Sequence, residues 1–148
     1  MDGRFALAYI AFNTFFALLT QDEQVRCMET VARHLVPGGR FVIDAFVPDM
    51  SRYAGRQALR VGGVDVGEVR IDASEIDPAR QTVASQHIVL TESGVRLYPV
   101  TLRYVWPSEL DLLARIAGLR LGNRWSDWQR APFGPDSGKH VSVYERHA

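Results

Sequence analysis

One cysteine, Cys27, stands in 148 residues. A single thiol cannot close an intrachain disulfide or build a cysteine zinc site, so Cys27 reads as a partly buried, inert side chain of a helix. Neither sign of charge is in excess, with 17 basic against 17 acidic side chains. The basic footprint of a dedicated nucleic-acid binder is missing, and no nucleic-acid partner is expected. No run approaches the ~18 apolar residues of a membrane span. The apolar stretch near the N-terminus lacks the basic flank of a signal peptide, which leaves the cytoplasm as the simplest location. His34, His87, His140 and His147 are scattered without a His-x-x-x-His pair, so no metal site is expected. A Gly-x-Ser-x-Gly nucleophile elbow is absent. The glycine pairs Gly38-Gly39 and Gly62-Gly63 do not supply Gly-x-Gly-x-x-Gly between a strand and a helix.

What is present is a globular composition, 47% apolar, in a chain long enough to bury roughly 70% of its unfolded surface in one domain. Residues 5–12 are continuously apolar and too short for a free helix, which reads as a strand buried on both faces, as in parallel sheets. Thr20-Gln21-Asp22-Glu23 is a capping box that starts a helix. Val25, Met28, Ala32 and Leu35 form its apolar stripe. Pro37-Gly38-Gly39 stops it, and residues 40–46 form a second buried strand. Strand, helix and strand make a βαβ unit over 5–46 with a right-handed crossover.

After Pro48 the pattern turns antiparallel. Residues 63–73, 81–91 and 95–106 alternate with period two and are rich in β-branched side chains, which predicts a meander within an insert spanning 57–106. Tyr98, Val100, Leu102, Tyr104 and Trp106 would share a face. Glu68, Asp72, Glu75 and Asp77 read as a solvated strand edge, and His87 as a sheet-surface histidine. Pro107-Ser108-Glu109 opens a helix with a Leu110, Leu113, Ala114 and Ala117 stripe, closed by Gly118. Residues 119–126 and 140–146 complete the region 107–148 as closing strands. Trp125, Trp128 and Phe133 either line a pocket or interface or pack across the sheet end. His140, next to Lys139, reads as an exposed loop histidine, with a cleft-facing position as the alternative.

This order resembles the later strands of a class I S-adenosylmethionine (SAM) dependent methyltransferase, and the insert is similar to that of small-molecule and sugar N-methyltransferases. The resemblance rests on Ala11-Phe12-Asn13-Thr14, the turn from Leu35 through Pro37-Gly38-Gly39-Arg40-Phe41, Trp106-Pro107-Ser108-Glu109-Leu110 and Ala117-Gly118-Leu119. It implies an α/β fold: a partial Rossmann-like sheet with a βαβ core, two closing strands and an antiparallel β insert, in a single domain. It also implies methyl transfer from SAM to a small-molecule substrate, with Phe12, Asn13 and Thr14 near substrate and cofactor. Asn13 would orient an acceptor amine or hydroxyl, or else cap the strand end. Tyr9 and Phe12 read as core side chains. The family's glycine-rich loop and ribose-binding acid have no counterpart here, and Asp44 lies inside a strand. The 148 residues alone are therefore expected to bind SAM weakly or not at all. The exposed edge of strand 5–12 is expected to drive homo-oligomer formation, a homodimer in the simplest case. Two readings of function follow: a methyltransferase lacking its SAM-binding loop, or a non-catalytic dimerising or ligand-binding module on the same fold.

Overall fold

The computed structural model describes residues 3–147. They form two compact units, one of residues 3–48 with 105–147 and one of residues 49–104.

The first unit is built on β1 (Phe5–Ile10), α1 (Gln21–His34), β2 (Leu35–Phe46), α2 (Pro107–Ile116), β7 (Leu119–Trp125) and β8 (Lys139–Arg146). Its sheet has the order β1-β2-β8-β7. β1 and β2 are parallel, whereas β8 runs antiparallel to both β2 and β7. α1 forms where the capping box predicts. The Glu23 N–H donates to Thr20 Oγ1 at 3.2 Å and the Thr20 N–H donates to Glu23 Oε2 at 3.0 Å. Its last turn is closed by Arg146, which donates to the Ala32 carbonyl at 2.9 Å and also reaches the Leu35 carbonyl. A cation there complements the helix dipole.

The chain does not leave the sheet at Pro37-Gly38-Gly39. β2 begins at Leu35, and the register steps from Phe5 opposite Leu35 to Leu7 opposite Arg40, so the prolyl-glycyl segment is a large bulge. Gly39 is required there, because a Cβ would lie 2.9 Å from the Val36 carbonyl oxygen. Phe41, Ile43 and Ala45 point to one face and are fully buried with Phe15, Phe16, Met28, Leu35 and Leu110. Each such large side chain contributes roughly 1.5–3 kcal/mol by leaving water.

β1 departs from its expected burial. Leu7 is 56% exposed, Tyr9 68% and Phe12 88%. The strand hydrogen-bonds to β2 on one side only, so its apolar side chains have nothing to cover them among the described residues. Tyr9 and Phe12 are not core.

The second unit holds β3 (Gln57–Asp65), β4 (Glu68–Asp77), β5 (Thr82–Thr91) and β6 (Gly94–Arg103) in the order β3-β4-β5-β6, antiparallel throughout. There are four strands where the alternation predicts three. The first predicted strand spans a hairpin at Val66-Gly67, which Gly67 permits by adopting φ +81°. β6 ends at Arg103, so Trp106 is not on its face; Trp106 instead caps α2. The acidic residues of β4 do not form an edge. β4 lies inside the sheet, where Asp72 meets His87 and Glu68 meets Arg70.

Candidate functional site

In open α/β sheets, ligands gather outside the carboxyl ends of parallel strands. Here that end is formed by the last residues of β1, β2 and β7 and the first of β8, and most of the sequence-predicted site residues lie there.

The β1 end is conformationally unusual. Phe12 and Asn13 both adopt left-handed backbone, with φ of 56° and 61°. Two consecutive non-glycine residues in this region cost of order 1–3 kcal/mol each and persist only when contacts hold them. Asn13 supplies those contacts. Its N–H donates to the Asp44 carbonyl at 3.1 Å, and its Oδ1 accepts from the Phe46 N–H at 2.7 Å. The side chain thus closes the gap between the β1 and β2 ends and leaves its amide NH2 as the end that can address a ligand. The Thr14 hydroxyl donates to the Ala11 carbonyl at 2.7 Å, and a 3-10 turn follows over Thr14–Ala17. Phe12, held by this turn, stands out in solvent.

Asp44, at the β2 end, accepts from Trp128 Nε1 at 2.9 Å. Trp128 is half-exposed, and it ties the β7–β8 loop to this strand end. Trp125 forms an isolated bridge with Pro132 and carries Arg130 over its ring at 5.1 Å. It sits at the β7 end, one step removed from Asn13 and Asp44.

His140 is the clearest departure from expectation. It is not an exposed loop residue but part of β8, opposite Ala45, with no exposed surface. Strand alternation places it on the same face as Ser142 and Tyr144 and beside Phe133, whose ring centre is 6.2 Å away. Burial drives its pKa down to about 4. The Arg124 charge adds to this, and the carboxylates of Asp111 and Asp44 oppose it. The imidazole is neutral at physiological pH.

Behind His140 lies a polar cluster whose members the sequence reading did not single out. Arg124 Nε donates to Ser142 Oγ at 2.8 Å, and its other nitrogens reach Asp111 Oδ1 at 2.5 Å, Asp111 Oδ2 at 3.2 Å and the Tyr144 hydroxyl at 3.1 Å. The Tyr144 hydroxyl donates to Asp111 at 2.7 Å. Burial first, and then the neighbouring Asp111, push the Tyr144 phenol far above its ordinary range, so it stays protonated. The available signal was weak: an aspartate, Asp111, inside the leucine stripe of α2, and an arginine near the end of a short strand.

Cys27 is partly buried, and burial raises its thiol pKa, as suits an inert side chain. His87 Nδ1 donates to the Asp72 carboxylate at 2.5 Å on the exposed polar face of the insert, far along the chain from these strand ends. No group of three or more histidine, cysteine or acidic side chains that could hold a metal exists among the described residues. No helix among them is long and apolar enough to cross a membrane.

The residues present do not fit the adenosine and ribose of SAM. The glycine pairs lie in the β2 bulge and in β3, neither between a strand end and a helix start. The Asp44 carboxylate is engaged by Trp128.

No family model matches the chain. It is 28% identical over 147 residues to the cypemycin N-terminal methyltransferase of a Streptomyces species, covering 98% of this chain and 60% of that protein. The CcbJ methyltransferase of Streptomyces caelestis superimposes with a TM-score of 0.94 at 42% identity, over 99% of this chain and 59% of that one. The amino pentose methyltransferase CalS10 of Micromonospora echinaspora, solved with SAM bound, shares the fold at a TM-score of 0.66 and 18% identity, over 99% and 60%. The chain spans about 60% of the length of these relatives. These relatives and structural neighbours are methyltransferases, and over nearly its whole length the chain shares their fold, a partial Rossmann-like sheet with an antiparallel insert.

Proposed function

We propose that this chain forms the acceptor-side part of a SAM-dependent methyltransferase acting on a small molecule. The observation that carries the reading is the likeness to CcbJ, 42% identity with a TM-score of 0.94 across 99% of the chain. The strand-end geometry supports it. Asn13, Thr14 and Phe12 form a strained, hydrogen-bonded turn of the kind that cluster at ligand sites. Trp128 and Phe133 supply aromatic walls at the same end. Their contribution to methyl transfer is to hold the acceptor and exclude water, since such displacements gain chiefly from proximity and orientation. Asn13 orients the acceptor through its free amide end. The lone cysteine suits a reducing compartment, and we place the protein in the cytoplasm.

Within these 148 residues, SAM affinity is weak, because no glycine-rich loop stands between a strand and a helix. The test is a chimaera in which this chain replaces the matching 59% of CcbJ. It is expected to bind SAM and to transfer a labelled methyl group to a small amine. A chimaera that melts cooperatively yet shows no SAM binding by titration calorimetry overturns the reading. Micromolar SAM affinity in the isolated chain overturns the claim about the missing loop.

A second reading, a self-associating module, draws on the insert. One face of its sheet is built of the rungs Val64, Val69, Leu90, Val95, then Val61, Ile71, Ile88, Leu97, then Leu59, Ala73, Gln86, Pro99. Leu59, Val61, Val64, Val95 and Leu97 are all more than half exposed. Four strands about 4.8 Å apart and three rungs about 6.8 Å apart make a footprint of roughly 400 Å², the size of the largest patch on an ordinary monomer, which is often functional. These three rungs carry no charge, although the next rung of the same face holds Glu75, and a second copy offers the same apolar rungs for sheet-on-sheet packing. This contact joins the exposed β1 edge as a route to a homodimer, compatible with either reading.

A further inference from the structure

The cluster behind His140 dictates which nitrogen of its ring carries the proton. An arginine cannot accept a hydrogen bond. Ser142 Oγ, 2.8 Å from Arg124 Nε, must therefore be the acceptor in that pair. The guanidinium cannot turn away, because its other nitrogens are held by Asp111 and Tyr144. Ser142 is itself fully buried, and its remaining hydroxyl proton needs an acceptor. The one in reach is His140 Nδ1, at 2.8 Å.

We propose that Asp111, Arg124 and Ser142 form a relay that fixes His140 as a neutral imidazole protonated on Nε2, so that His140 serves the strand-end site as a hydrogen-bond donor and not as a proton acceptor. In the opposite tautomer, Nδ1–H would point at an oxygen already receiving Arg124, and the Ser142 hydroxyl would be left buried without an acceptor. That form orphans two buried groups, the hydroxyl proton and the Nε2 lone pair, against the single Nε2–H of the proposed form, and the difference of one group favours the Nε2–H form by roughly tenfold. Nε2 is fully buried and meets no partner among the described residues. Its N–H is thus directed to an acceptor outside them, which in the small-molecule reading is an oxygen of the substrate. A general base at this position would need the reverse arrangement, a free nitrogen lone pair facing the reacting group. Asp111, Arg124 and Ser142 are positioning residues, since they act through His140.

This assignment of a substrate contact rests on the methyltransferase reading, but the tautomer does not, so the two can fail separately. The test is the ¹⁵N spectrum of the histidine rings in the intact 148-residue protein. His140 is expected as a single neutral Nε2–H tautomer, unchanged between about pH 6 and 8. An Nδ1–H tautomer, or protonation of His140 within that window, overturns the proposal outright and needs no variant. Ser142→Ala is expected to release the lock and make the Nδ1–H form detectable, while Ser142→Thr keeps the hydroxyl and restores the single tautomer. Identical tautomer populations in wild type and Ser142→Ala would show that the relay does nothing to His140.

Discussion

The two sheets of this protein invert one another's chemistry. The sheet of β1, β2, β8 and β7 hides polar groups: His140 and Ser142 are fully buried, and Arg124 keeps only 12% of its side chain in solvent. The sheet of β3 to β6 shows apolar ones, with Leu59, Val61, Val64 and Leu97 in water. Buried polar groups are tolerated only when they are hydrogen-bonded, which the relay from Asp111 to His140 achieves at every atom but one. Exposed apolar groups are tolerated in water only when they are few or when something covers them. The contrast separates a sheet with a hydrogen-bonded polar interior from one with an uncovered apolar surface.

The largest test of that contrast uses one substitution in two places. Leu110 is fully buried in the core unit, and Leu59 is 75% exposed on the insert. Leu110→Ala is expected to cost about 2–5 kcal/mol in urea unfolding, through lost burial and the cavity left behind. Leu59→Ala is expected to change stability by less than about 0.5 kcal/mol. Equal losses at the two sites would mean that the insert face is covered within a single chain.

Next in size is the pH response of the buried histidine. The folded-state pKa of His140 is about 4, against an ordinary value of 6.5. The proton therefore binds more tightly to the unfolded chain. The stability associated with a neutral His140 is complete above about pH 6.5 and is lost as pH falls toward 4, by up to about 3 kcal/mol. Arg124 strengthens this effect, and Asp111 and Asp44 reduce it. His140→Leu is expected to flatten the stability curve between pH 6.5 and 4, whatever it does to the absolute level. A curve of unchanged slope would show that His140 is not held neutral by burial.

The same division explains what could be read from the sequence. α1 was legible because its start is a local device: Thr20 and Glu23 are three residues apart and satisfy each other. The strands around α1 were legible as apolar runs, and the order of elements carried the resemblance to methyltransferases. The hairpin at Val66-Gly67 was not, because β-branched residues lie in it and closely on both sides of it (Val64, Val66, Val69, Ile71) and the turn lacks an Asn-Gly or Asp-Gly pair. The relay was not legible either. Asp111, Arg124, Ser142 and Tyr144 come from α2, β7 and β8 and meet only in the folded unit. His140 looked like a loop residue because the Pro- and Gly-rich segment before it hides where β8 begins. Asn13 was legible as a strand-end residue, but its bond to the Phe46 N–H depends on the register of β1 against β2.

A smaller effect is expected from charging the insert face. Val61 and Leu97 lie on one rung at its two ends, with β4 and β5 between them. If a second copy packs on this face, the double substitution Val61→Lys and Leu97→Lys is expected to weaken self-association at least about 30-fold, the equivalent of the roughly 2 kcal/mol of a central interface residue. Sedimentation velocity at micromolar concentration distinguishes the two species. A wild-type protein that already sediments as a monomer removes the contact, and the insert must then be regarded as an apolar sheet that tolerates water.

The smallest effect compares two arginines, one in each sheet. Arg70 pairs with Asp65 at 3.2 Å and Glu68 at 3.3 Å, but about half of its side chain is in solvent. Arg124 makes a comparable pair with Asp111 at 2.5 Å while remaining largely desolvated. Exposed pairs gain little over hydration and are screened by salt. Arg70→Met is expected to cost less than about 1 kcal/mol at low salt, and nothing measurable in about 1 M NaCl, where the screening length falls to ~3 Å. The loss on Arg124→Met is expected to persist in the same salt. Removing that guanidinium takes the donor from Ser142 Oγ and the counter-charge from the partly buried Asp111 carboxylate, and salt cannot restore a buried hydrogen bond. If both losses vanished together in salt, the polar cluster behind His140 would be as hydrated as the insert surface, and a relay that fixes a tautomer could not operate there.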